Sequence, residues 1–146
     1  MRDRARQRQA GGFTLLELMI VIVILGLLAT IVMPKILHRP EEARRMKAVV
    51  EIRNIESTLG LFKTDTGRFP TTSEGLAVLV TNPGIKGYSD GGYLDKSPRD
   101  PWGNSYVYLA PSPQGGEYEV RSYGRDGEPG GEGLDADIAS WNLDQE

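Results

Sequence analysis

Five carboxylates fall within the glycine-rich segment GRDGEPGGEGLDAD: Asp126, Glu128, Glu132, Asp135 and Asp137. Like charges held this close repel one another. Either the segment is a solvated, mobile acidic loop, as its composition allows, or a cation offsets the charge. A hard ion suits the second case. Ca2+ takes several oxygens, from carboxylates and backbone carbonyls, in a forgiving arrangement, and glycines let the chain turn carbonyls inward. Mg2+ demands stricter geometry and retains water. Zn2+ is disfavoured, because the chain has no cysteine and no histidine nearby. The acid spacing is not that of an EF-hand. GGEGLD matches the start of one calcium nonapeptide, an architecture that requires stacked copies.

A sixth carboxylate poses a different problem. Glu17 lies inside GGFTLLELMIVIVILGLLATIVMP, Gly11 to Pro34, a run otherwise suited to hydrocarbon. A lone charge there is expensive. Near the end of a span it can reach the interface and be solvated. The other reading is a counter-charge. Cleavage between Gly12 and Phe13 would create an ammonium on Phe13, and that amine sits at the positive end of its own helix. A neighbouring helix, shifted along the axis, could then bring its amine to Glu17 and make assembly in lipid favourable. Catalysis has little support. The one histidine, His38, lies among Lys35, Arg39 and Glu41, and there is neither a cysteine nucleophile nor a phosphate loop. No triad converges, so no enzyme is expected. Trp102 and Trp141 read as packing aromatics.

These residues need elements to hold them. Arg2, Arg4, Arg6 and Arg8 precede the apolar run, which places the N-terminus in the cytoplasm. From Phe13 to Met33 a helix would be about 31 Å long, close to a bilayer core. No A-x-A site follows, as a cleaved secretory signal would require. Gly26 and Pro34 weaken the far end of this helix, either as a membrane-exit kink or as a loosened segment of a filament. Pro40, Glu41 and Glu42 suit a first helical turn, so a join between two helices is possible there. Ala48, Ile52, Ile55, Leu59 and Phe62 then form one stripe, ended by Thr66-Gly67 and Pro70. TTSEGLAVLV predicts a second, short helix, with Thr71 and Glu74 at capping-box spacing. After a long loop, SYVYL and EYEVRSY alternate as a hairpin around APSPQGG. The sum is an α+β domain: a long helix, a short helix and a small antiparallel sheet. A globular part of roughly 80 residues has a marginal core, and without cysteine it must look to a metal or a partner for help. A net charge of −3 gives no reason to expect nucleic acid.

GGFTLLELMIVIVILGLLATIVMP resembles the N-terminus of type IV pilins and of type II secretion pseudopilins. GRFPTTSEGLAVLV, GGYLDKSPRDPWGNSYVY and SYGRDGEPGGEGLDADIASW are similar to the major, G-type pseudopilins of type II secretion. The resemblance implies a type IV pilin-like fold in three parts. Residues 1–12 would be a basic leader cut after Gly12 by prepilin peptidase, with methylation of Phe13. Residues 13–36 would be the transmembrane and filament-core helix, and residues 37–146 a periplasmic domain. Glu17 would pair with a neighbour's N-terminal amine. The acidic loop would bind Ca2+ through Asp126, Asp137 and Asp135, with carbonyls near Tyr123 and Glu128. The implied role is the major, non-catalytic subunit of a homopolymeric pseudopilus. It would be anchored in the inner membrane by contact with lipid and would drive export of folded proteins across the outer membrane. Minor pseudopilins, the inner-membrane assembly platform and the prepilin peptidase/methylase would be its partners. The alternative is a type IV pilin for adhesion, motility or DNA uptake, many of which carry a C-terminal cysteine pair that this chain lacks.

Overall fold

The computed structural model describes residues 12–143, and for residues 31–39 the backbone alone. The expected leader, apart from Gly12, lies outside the described residues. The chain forms two units, Met1–His38 and Arg39–Glu146.

In the first unit, helix α1 (Leu15–Thr66) begins one residue after Thr14. The Thr14 hydroxyl accepts from the Glu17 amide at 3.2 Å, and its carbonyl accepts from the Leu18 amide at 3.2 Å. Thr14 is therefore a side-chain N-cap for α1. Its large apolar residues from Leu15 to Leu28 are all exposed, as is Phe13. A helix apolar on every side must be covered from outside its own chain. Among the described residues no helix is long and apolar enough to cross a membrane. The expected span, 13–36, runs on into residues whose side chains lie outside the described set.

The backbone is helical on both sides of Pro34 and Pro40, so no separate helix starts at Pro40. A proline removes one hydrogen bond of the ladder, and the bonds around it can hold the turn.

In the second unit, Ala48, Ile52, Ile55, Leu59 and Phe62 are all buried, as their spacing predicts. The helix stops where expected, with the Gly67 amide bonded to the Lys63 carbonyl at 2.8 Å. The capping box forms in full. The Thr71 amide donates to Glu74 Oε2 at 2.7 Å, and the Glu74 amide donates to Thr71 Oγ1 at 3.3 Å. Beyond the box the expected second, short helix forms, wound as a 3-10 helix over Gly75–Leu79. The tighter winding buries Leu76, Val78 and Leu79.

The sheet has three strands in the order β1-β2-β3: β1 (Val107–Leu109), β2 (Glu119–Ser122) and β3 (Ile138–Ala139). The hairpin pairs Val107 with Arg121 and Leu109 with Glu119, antiparallel as the alternation predicts. Strand β3 was not expected. It pairs Ser122 with Ile138 and Arg121 with Ala139. Just past β1, the Ala110 amide donates to the Thr72 hydroxyl at 2.9 Å, and that hydroxyl donates to the Ala110 carbonyl at 3.0 Å.

Tyrosines fill the space between helix and sheet. The rings of Tyr88 and Tyr93 meet Phe62 edge-on, with centroids 6.1 and 5.5 Å away. Each buried hydroxyl finds an acceptor: Tyr88 on the Val78 carbonyl (2.7 Å), Tyr108 on the Pro70 carbonyl (2.9 Å) and Tyr106 on Glu51 (2.7 Å). Burial pushes the Tyr106 and Tyr108 hydroxyls well above the usual range, so both stay neutral donors. Trp102 packs against this core and donates its ring N–H to Glu41 at 3.0 Å. Trp141 departs from expectation and stands half-exposed.

The Arg68 fork, at 2.7 Å to both Glu74 oxygens and helped by Thr71, draws the Glu74 carboxyl down to about 2. A carboxyl depressed on folding adds stability that is present above its unfolded value of about 4.5 and lost as pH falls through 2. Solvent screens much of this, so Glu74→Ala should cost about 1–2 kcal/mol at pH 7, cap and bridge together. In urea unfolding followed by circular dichroism, the difference from the parent should shrink steadily between pH 5 and pH 2.

Candidate functional site

The acidic loop runs from Tyr123 to Asp137, between the end of β2 and the start of β3. The Ser122–Ile138 pair closes it at its base. Below the base, the buried Asp100 accepts from the Ser122 hydroxyl at 2.7 Å and from the Trp102 and Asn104 amides at 3.1 and 2.8 Å. From α1, the buried Arg45 reaches the Ala136 carbonyl at 2.8 Å. The loop thus grows from a fixed root that joins helix, sheet and the preceding turn.

Each expected ligand has a definite place. Asp126 is exposed and accepts from the Glu128 amide at 3.2 Å, a local side-chain turn. Asp135 receives the Arg125 fork, Nε at 2.8 Å and Nη2 at 2.9 Å. Asp137 Oδ1 accepts from the Gly130 amide at 3.1 Å, and its Oδ2 lies 3.4 Å from Arg121 Nη1. Arg121 is also bonded to Glu119, a fully buried carboxylate that the Ser112 hydroxyl supports at 3.1 Å. Tyr123 is half-buried; Glu128 and Glu132 point to solvent.

The backbone folds tightly over these groups. A Cβ on Gly131, where φ is 79°, would overlap the Asp135 carbonyl, and one on Gly124 would lie 3.2 Å from the same oxygen. Two glycines therefore cradle one carbonyl.

The donor set is oxygen alone, carboxylates and backbone carbonyls, which fits Ca2+ in type. The side chains are nevertheless directed otherwise. Asp135 and Asp137 are paired with arginines, and among the described residues no group of three acidic or histidine side chains gathers as a metal cluster would. Attention to the acids alone passes over Arg121 and Arg125, which are interleaved with them in VRSYGRDG. Arg45 gives no such signal, because it reaches the loop from ninety-one positions away.

At the other candidate site, Gly12, Phe13 and Glu17 are all exposed. Thr14 fixes the first turn, and Glu17 stands about one turn along the helix from Phe13. Among the described residues no cation pairs with the Glu17 carboxylate.

Residues 35–141 match the family model for type II secretion system protein G, and residues 7–33 match that for the prokaryotic N-terminal methylation motif. The chain is 47% identical to type II secretion system core protein G of Vibrio cholerae over 94% of its own length and 96% of that protein's. The corresponding Pseudomonas aeruginosa protein is 44% identical over 94% of this chain and 99% of that one. The crystal structure of the major pseudopilin from the type 2 secretion system of enterohaemorrhagic Escherichia coli superposes with a TM-score of 0.62 at 34% identity. That likeness covers 73% of this chain and 93% of the other.

The cradle at Gly131 admits no side chain. Gly131→Ala should destabilise the domain by about 1–3 kcal/mol through backbone strain. Amide exchange in residues 124–137 should accelerate more than in the stripe of α1.

Proposed function

This chain belongs to the type II secretion system protein G family and is a subunit of the secretion pseudopilus, and we infer that it polymerises through its N-terminal helix as the major component. The family is one of structural secretion proteins, and a pilin for adhesion or motility is not favoured. The N-terminal methylation motif and the family together give a cell-envelope location.

One observation carries the reading of assembly. From Phe13 to Leu28 the large apolar residues are exposed, and a carboxylate stands in their midst. Lipid can cover such a surface before assembly, and copies of the same helix can cover it afterwards. Before assembly the helix is held in the inner membrane, with the basic N-terminus in the cytoplasm and the folded domain in the periplasm. Prepilin peptidase cuts after Gly12, and the new Phe13 amine is methylated. Glu17 then pairs with the amine of a neighbouring subunit, a bond of high value where water is scarce. Minor pseudopilins and the inner-membrane assembly platform start and extend the filament, which drives folded proteins out through the outer membrane.

Ca2+ belongs to this reading as a stabiliser of the periplasmic domain. The oxygen donors of Asp126, Asp135 and Asp137, with the carbonyls of Tyr123 and Glu128, would hold it. When bound, the ion would supply charge balance to the loop and link folding to calcium concentration. The chain's own contribution is the fixed root at Ser122, Asp100 and Arg45, which sets both ends of the loop before any ion arrives.

Two outcomes are expected. Glu17→Ala should leave leader cleavage intact while lowering sheared filament yield about tenfold or more, as an unmet charge-pair requirement implies; normal filaments from this variant contradict the pairing. At a hundredfold excess of calcium over its Kd, linkage supplies about 2.7 kcal/mol, on the order of 10 °C in melting temperature for a domain this size. Asp126→Ala or Asp137→Ala should bring the melting temperature in calcium down towards the chelated value, and equal melting of the parent with and without chelator ends the calcium reading.

A further inference from the structure

The acidic loop contains its own cations. Arg125 closes a two-pronged ion pair on Asp135, at 2.8 and 2.9 Å, and Arg121 approaches Asp137 at 3.4 Å. The two arginines differ in what else they hold. Arg121 also serves Glu119, whose carboxylate is 1% exposed. Moving Arg121 away would strand a buried charge, so it is fixed in place. The Arg125 side chain is 47% exposed and can swing into water without stranding a buried group. Both oxygens of Asp135 are taken by its fork.

We propose that Arg125 is a built-in competitor of calcium, an internal counter-ion that holds Asp135 in the metal-free loop and must be displaced before Asp135 can serve the ion. This rests on the calcium reading and deepens it. The guanidinium neutralises one carboxylate where repulsion among acids would otherwise open the loop. It also adds a positive charge beside the place where a dication must settle, and that charge opposes binding. The loop is then held closed without metal, at the expense of calcium affinity. Arg121, tied to Glu119, plays the permanent part and Arg125 the exchangeable one.

The test uses the full chain in detergent micelles, titrated calorimetrically with calcium chloride and melted in chelator. Arg125→Ala should bind calcium about tenfold more tightly than the parent, with the gap narrowing as sodium chloride screens the charge. Its melting temperature in chelator should fall by a few degrees, and chelated amide exchange in residues 124–137 should quicken. Arg125→Lys keeps the charge and loses the fork, so its calcium affinity should stay near the parent's while its chelated loop loosens. Parent and Arg125→Ala binding calcium with equal affinity, or the variant more weakly, overturns the competition and leaves the calcium reading standing. No calcium heat from either protein at millimolar ion defeats the calcium reading itself, and this proposal with it.

Discussion

The buried stripe of α1, from Ala48 to Phe62, is the surface on which the globular unit is built. The other elements are too short to be stable alone: strands of three, four and two residues and a 3-10 turn of five. Isolated pieces of that size do not persist in water. They persist here because one helical face supplies their apolar contacts, and because tyrosine hydroxyls from the strand and loop side reach defined acceptors, Glu51 on α1 and the carbonyls of Pro70 and Val78. The same helix, further towards its N-terminus, changes from a one-sided apolar surface to an all-round one. The change in pattern along a single element divides the work of the chain: one part makes a fold, the other calls for company.

Features governed by short-range periodicity were legible in the sequence. The stripe repeats at helical spacing, Thr71 and Glu74 stand three apart, and the hairpin pairs antiparallel as expected, although the alternation breaks at Glu119, which is buried beside Val120. Features decided by distant contacts were not. Strand β3 has two residues, too few for any alternation to show, and exists because Ser122 and Arg121 offer it a ladder. The 3-10 winding of Gly75–Leu79 has no mark in the spacing of its apolar residues, and Trp141 is exposed although its type suits a core. Pro40 reads as a helix start in isolation, yet the ladder continues around it.

At the acidic loop, composition disclosed the charges and the glycines but not their pairing. Which carboxylate meets which arginine depends on how the loop folds over Gly131, a three-dimensional fact. The loop's root was equally hidden. Arg45, Asp100 and Ser122 come from three separate regions of the chain; Asp100 bonds to Ser122, and Arg45 reaches the Ala136 carbonyl, only with α1 and β2 in place. The loop is thereby coupled to the core: its far end is one strand of the sheet, and a carbonyl near that end is held by the helix.

The single hydroxyl of Thr72 has a consequence for how copies of this molecule can meet. By serving the amide and the carbonyl of Ala110 together, it acts as a one-atom substitute for the next strand at the outer margin of β1. An open margin would invite a stray chain to add itself and begin cross-β aggregation. With that rung already taken, a stray strand finds neither the amide nor the carbonyl of Ala110 free to pair.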